Sequence, residues 1–392
     1  MFEIFKTFGL ATMSMSKYSK KKEINYQSLF SYSYRGMTYN IILIFILIIA
    51  GTFKVYECVN KLQDDSKMSL AIDVFGNFII YAVSIVVLIK YVTSQRLAVK
   101  IGNELYFGDL ILKKFDNLYK EKTLFTHYAL ILIFDFAIWL CVIIVGLFCD
   151  ITMFESILTH IPNFIISCLV IQYVFIITLI RGMATTVNNQ LKKYISCISS
   201  RAVLQKFQRI PTSVAYLSQI EQITTLRKLC LSLYDISDDV SRFYSIPILI
   251  CITKLFFSIL LNTYFFIKPS IFGKSIITNM NEVWSICWLS LDMFSLLILT
   301  RYITITVNEV KKTGDIVHRI LYSSLDSEVE KQLRNLSFHL LHKQIQFSAM
   351  NMFSLDSTLL QSVIGSMTTY LVILIQFQRE NGTSEKNFKS SV

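Results

Sequence analysis

Seven apolar runs divide this chain, and its basic residues fall on alternate sides of them. The runs are Thr38–Phe53, Leu70–Ile89, His127–Cys149, Ile161–Ile180, Ser245–Ile267, Glu282–Thr300 and Phe353–Phe377. An α-helix crosses a bilayer core with about 20 predominantly apolar residues, fewer where polar ends help. Only a helix or a closed barrel satisfies its backbone in hydrocarbon, and runs of this length are helical. The spacing therefore predicts an all-α membrane protein with seven transmembrane helices. Composition agrees: 17% of residues are charged, against about 25% in ordinary soluble domains.

Lys and Arg orient the seven runs. Of the 38, 29 lie in the N-terminal segment and in the second, fourth and sixth connections; eight lie on the other side, and Lys254 lies within a run. The basic-rich side is cytoplasmic, so the N-terminus is expected inside and the C-terminus outside. The net charge of +11 is explained by this bias, and no nucleic-acid motif accompanies it; no nucleic-acid partner is expected. The N-terminal MFEIFKTFGL lacks a long apolar core and a small-residue cleavage site, so no cleaved signal is expected. The chain contains no H-E-x-x-H, no Gly-rich phosphate loop and no G-x-S-x-G. No enzymatic activity, cofactor or metal is expected.

The inner connections are long and read as helical. In the sixth, Ile316, Ile320, Leu321, Leu325, Val329, Leu333, Leu336, Leu340 and Leu341 recur at helical spacing. Such an apolar stripe must pack on neighbouring segments or on other subunits. In the last run, Ser362, Ser366, Thr369, Ile373 and Gln376 are three or four residues apart and share one helix face. A polar face in a membrane meets protein or water. Either it packs inside its own subunit or it lines a pore.

Polar residues also gather toward the outer ends of the runs. Asp73, Asn77 and Tyr81 form one stripe, Asp135 and Trp139 a second, and Trp284, Trp288 and Asp292 a third; Asn163, Asn262 and Tyr264 lie at a similar depth. Tryptophans with amides and carboxylates suit polar or amphipathic small molecules. Asp73, Asn77, Asp135, Trp139, Asn262, Tyr264, Trp284, Trp288 and Asp292 are thus candidate ligand-binding residues. Five of them have a plainer role: Trp284 and Tyr264 as interfacial anchors, Asp73 as a solvated carboxylate, and Asp135 or Asp292 as the partner of Lys254.

The C-terminal third carries a more specific pattern. It contains Ser337–Phe338, Leu340–Leu341–His342, Phe347–Ser348–Ala349, Phe353–Ser354–Leu355–Asp356, Leu359–Leu360, and Thr369–Tyr370 followed after five residues by Gln376–Phe377. This run resembles the C-terminal signature of the insect gustatory receptors, with Asn351 standing where that family usually has Gly. The cytoplasmic N-terminus is an independent match, because it inverts the topology of a G-protein-coupled receptor; neither D-R-Y nor N-P-x-x-Y occurs here. The resemblance implies a tastant-gated, non-selective cation channel, a homo- or hetero-tetramer in the plasma membrane of chemosensory neurons. It implies one domain: six helices over 38–300 with an outer ligand pocket, a cytoplasmic assembly region over 301–352, and a pore helix over 353–377. Carried over, Gln376 and Phe377 form the gate near its outer end, with Ile373, Thr369 and Tyr370 below them. An odorant-receptor channel is the nearest rival, and a G-protein-coupled receptor the rival from another class.

Overall fold

The computed structural model describes residues 2–15, 29–61, 67–115, 121–149, 152–205, 213–271, 280–322, 327–342, 345–350 and 352–389. Within helices, the side chains of 61, 67–73, 112–115, 121–125, 197–205, 213–220, 268–271, 281 and 377–389 lie outside the description. The architecture is almost wholly helical. Among the described residues seven helices are long and apolar enough to cross a membrane. They are α2 (Tyr34–Lys61), α3 (Lys67–Thr93), α5 (Glu121–Phe148), α6 (Met153–Gln205), α7 (Ser213–Ile271), α8 (Met280–Leu321) and α10 (Ser357–Lys389). Three more are shorter or less apolar: α1 (Phe2–Thr7), α4 (Gln95–Phe115) and α9 (Ser327–His342).

The centre of the bundle is α6, which packs most extensively against α8, with α7 against both. Its residues Ile165, Leu169, Tyr173, Ile177 and Ile180 follow one another every three or four positions and are fully buried. α5 is the opposite case. Its exposed Leu130, Ile133, Phe134, Phe136, Leu140, Ile144 and Leu147 suit contact with lipid rather than with other helices.

The long fourth and sixth connections are mostly continuations of membrane helices. α6, α7 and α8 run for 53, 59 and 42 residues. The stripe that begins at Ile316 is not one helix: α8 ends at Leu321 and α9 resumes at Ser327. Val329, Leu333 and Leu336 then bury against α7 and α8, while Phe338 and Leu341 stay exposed. Leu325 lies outside the described residues.

The last membrane helix starts later than the sequence suggests. Phe353–Ser354 form a short strand (β4) paired antiparallel with Ser348–Ala349 (β3). The turn between them holds Met350 at φ 50°, a left-handed conformation uncommon for a residue with a side chain; Asn351 is outside the described residues. The Met350 amide donates to Ser245 Oγ of α7 at 2.8 Å. Asp356 caps the helix: its Oδ1 accepts from the Thr358 amide at 2.9 Å and the Thr358 hydroxyl at 2.5 Å. The hydroxyl bond, with the amide bond behind it, holds the Asp356 carboxyl below its ordinary range.

Two features at the N-terminal end of the bundle escape sequence reading. α4 occupies what reads as a loop, with Ala98, Ile101 and Leu105 buried. It is clamped to α7 by Asp239, which meets Lys100 at 2.6 Å and also pairs with Arg242. That bond raises the Lys100 ammonium above its ordinary range. Residues 9–12 of the N-terminal segment are also buried. Asn40, Gln95 and Gln172 donate to the carbonyls of Gly9, Thr12 and Leu10 at 2.7, 2.6 and 3.0 Å. Three amides from three helices thereby satisfy a loop that the core would otherwise leave unpaired. A second two-stranded sheet, Ser14–Met15 (β1) with Phe30–Ser31 (β2), closes this end.

Candidate functional site: a polar seam and an uncovered helix

Lys254, Ser258 and Asn262 stand four residues apart on α7 and share one face. Lys254 Nζ lies 2.9 Å from Asp292 Oδ1 of α8, with the two side chains 4% and 3% exposed. Ser258 Oγ donates to Asp292 Oδ2 at 2.5 Å, and Asn262 Nδ2 donates to Ser258 Oγ at 3.3 Å. The carboxylate is thus met on both oxygens, which a buried ion requires. Of the two candidate partners for Lys254, the fold selects Asp292.

Asp135 is served separately. Ser167 Oγ of α6 lies 3.1 and 3.3 Å from its two oxygens, and Trp139 Nε1 donates to the same hydroxyl at 3.2 Å. A cavity of about 10 Å³ joins the two networks, lined by Ser167, Asn163, Lys254, Asp292 and Ser295. Asn163 Oδ1 has no partner among the described residues. A space of this size in a polar setting holds about one water.

Beside this seam a crevice of about 180 Å³ opens between α3 and α7, lined by Asn77, Lys254, Ser258 and Asn262 with Phe75, Phe257 and Phe265. Gly76 is part of its wall, and a Cβ there would meet nothing within 4 Å. Asn77 Nδ2 also donates to Cys58 Sγ at 3.5 Å.

The three tryptophans gather elsewhere, around a histidine. Trp139 and Trp288 stack edge-on at 5.8 Å, and Trp284 and Trp288 at 5.9 Å. The His160 ring lies 6.1, 5.7 and 5.8 Å from Trp139, Trp284 and Trp288. Its Nδ1 lies 2.5 Å from the Ser156 carbonyl, an acceptor only, so that nitrogen carries the proton. Sequence reading passed over His160. A lone histidine shows no pattern of its own, and here it follows Glu155, Ser156 and Thr159 in a mixed polar and apolar stretch.

The candidates thus fall into separate groups. Asn77 and Asn262 share the α3–α7 crevice, which Asp292 touches through Lys254 and Ser258. Trp139, Trp284 and Trp288 form the aromatic cluster, which Ser167 ties to Asp135. Tyr264 is buried at 4% exposure against Phe265 and lines neither cavity described here. The Asp73 side chain lies outside the described residues.

On α10, Ser362, Ser366, Thr369, Ile373 and Gln376 are all exposed, while Leu359 and Val363 are buried against the bundle. The polar stripe therefore does not pack inside its own subunit. Tyr370 is 52% exposed and touches Phe256 of α7 edge-on at 6.1 Å. Thr369 Oγ1 donates to the Gly365 carbonyl at 3.3 Å. The Phe377 side chain lies outside the described residues.

Comparison with known proteins agrees with this architecture. A family model described as 7tm Chemosensory receptor matches residues 1–381. The chain is 24% identical over 194 residues to Putative gustatory receptor 28b of Drosophila melanogaster, covering 48% of this chain and 39% of that protein. It is 28% identical over 162 residues to Putative gustatory receptor 28a of the same species, covering 41% and 35%. The match thus spans well under half the length of either relative. Among solved structures, it superposes on the insect olfactory receptor OR5 from Machilis hrabei in complex with eugenol with a TM-score of 0.65. That match covers 96% of each chain at 11% identity, which speaks for the fold alone.

Proposed function

The chain belongs to the 7tm chemosensory receptor family, and we propose that it is a tastant-gated, non-selective cation channel. In this reading the N-terminus is cytoplasmic and the C-terminus extracellular. Four copies, identical or related, assemble in the plasma membrane of chemosensory neurons with α10 about a central axis. The region 301–352 helps hold them together on the inner side, and the first six membrane helices carry the ligand pocket.

The observation that carries the proposal is the bare polar face of α10. Ser362 and Thr369 donate back to the Thr358 and Gly365 carbonyls, but the Gln376 amide exposed on a membrane helix calls for water or partner chains, and a water-filled pore between copies supplies both. A ring of Phe377 side chains closes such a pore by dewetting. A small rotation exchanges that ring for Gln376 amides, which bond hydrated cations weakly and so discriminate poorly among them.

The ligand site is placed in the outer seam, where Asn77 and Asn262 line a crevice and the tryptophan cluster borders the same networks. A ligand that prefers the open arrangement of α3, α7 and α8 shifts the equilibrium by its differential affinity. The shift reaches α10 through its packing on α7 and α8.

Whole-cell current during a tastant panel tests this, comparing wild type with Phe377→Ala. A tastant-evoked cation current that turns constitutive in the variant is expected. A G-protein-dependent response with no intrinsic current overturns the channel reading.

A further inference from the structure

A third cavity, about 410 Å³, lies at the opposite end of the bundle from the crevice. Along α3 the crevice touches residues 75–80 and this cavity touches Tyr91; along α7 the corresponding residues are 254–265 and 243–244. Its walls come from α1, α4, α6 and α7, with Phe5, Ile101, Leu105, Phe175, Leu179 and Phe243 among them. α4 is not apolar enough to span a membrane, so the cavity lies at the inner boundary of the bilayer. The volume falls within the range of small-molecule sites, roughly 300–1,000 Å³. The amide-pinned N-terminal segment closes one side, so the space is bounded by a fixed wall.

One polar cluster lies in this apolar chamber. The Tyr91 hydroxyl is 2.6 Å from Gln172 Oε1 and 3.2 Å from the Tyr244 hydroxyl. Gln172 Nε2 donates to the Leu10 carbonyl, which sets the amide's orientation. An amide oxygen only accepts, so the single Tyr91 proton goes to Gln172. Tyr244 then donates its own proton to the Tyr91 oxygen. Both hydroxyl protons are committed, so the oxygen of Tyr244 keeps an open lone pair, while the second Nε2 proton of Gln172 faces no acceptor among the described residues. A neutral hydroxyl, which donates and accepts at once, suits this arrangement. Among the described residues no Lys or Arg lines the cavity, so they offer an anionic head group no counter-charge.

We propose that this inner cavity binds a bilayer-derived amphiphile with one hydroxyl on a compact apolar body, a sterol-like lipid, whose hydroxyl donates to the Tyr244 oxygen. The site is separate from the outer seam and does not depend on what gates the channel. A lipid here braces α4 and the N-terminal segment against α6 and α7.

The test uses the full chain purified in lipid nanodiscs and a photoreactive sterol with a free hydroxyl, beside the same probe as its methyl ether. Saturable labelling that maps to 98–109 or 172–183 is expected, weaker for the ether by roughly five-fold, the worth of one hydrogen bond. Tyr244→Phe removes the acceptor and should make the two probes label alike. Ala98→Phe fills the chamber and should abolish labelling; if that variant does not fold, the probe comparison in wild type and Tyr244→Phe decides alone. Labelling that does not saturate, that maps to exposed α5 positions such as Leu140, or that a fatty acid competes better than a sterol overturns the proposal. Equal labelling of wild type by both probes also overturns it.

Discussion

Lys254 and Asp292 form an ion pair of 2.9 Å across α7 and α8, and each side chain is almost wholly buried. Two such charges survive inside a bundle only because each neutralises the other and Ser258 fills the remaining carboxylate oxygen. Breaking a buried pair by removing one partner costs about 3–5 kcal/mol, whereas replacing both with apolar residues is often neutral. Lys254→Met should therefore lower the thermal midpoint of the purified protein steeply. Lys254→Met with Asp292→Leu should recover most of the loss. A double variant no more stable than the single would show that the pair does not act as a unit.

The α3–α7 crevice separates residues that otherwise look equivalent. Asn77 and Asn262 line it, and Tyr264 does not. Losing one hydrogen bond to a ligand costs about 1 kcal/mol, roughly five-fold in affinity. Concentration–response curves should shift to higher ligand by about that factor for Asn77→Ala or Asn262→Ala, with maximal current retained. Tyr264→Phe should leave the curve in place.

Gly9 has φ +76°, and a Cβ there would come within 2.6 Å of Asn40 Oδ1 and 2.7 Å of Leu88 Cδ2. Gly9→Ala combines backbone strain with displacement of the amide that pins the N-terminal segment. The cost should be about 1–3 kcal/mol, read as a lower unfolding temperature in detergent. Gly76→Ala, which meets open space, is the control and should cost far less.

At Asp356 the folded carboxyl has a depressed pKa. Its contribution is present above the unfolded value, about 3.9, and is lost as pH falls through the lower folded value. Asp356→Ala removes the cap of α10 and should cost about 1 kcal/mol at neutral pH; Asp356→Asn, still an acceptor, should cost less. Thermal melts at neutral and strongly acidic pH should show the Ala variant converging on wild type in acid.

Much of this architecture was legible in the sequence, because burial in lipid is a one-dimensional constraint. Seven runs of sufficient length, and the polar face on the last, follow from counting and periodicity. Choosing between Asp135 and Asp292 for Lys254 did not, since periodicity says which face a residue occupies and not which helix stands opposite. The short start of α10 was missed because Phe353 and Ser354 belong to a two-residue strand, too brief for an alternating pattern. α4 was missed because Ala98, Ile101 and Leu105 form a narrow stripe in a basic stretch. The buried N-terminal segment is held by Asn40, Gln95 and Gln172, amides far apart in the chain.

The central claim is that the exposed stripe of α10 meets water in a conducting pore. Its most direct test is charged thiol-reagent modification of single-cysteine substitutions along the helix during ligand-evoked current. At Ser366, Thr369, Ile373 and Gln376 the modification should block current, faster with ligand present. At the buried Val363 it should not, and wild type, with its native cysteines, should be insensitive. Full current after demonstrated modification at all four stripe positions would contradict the account.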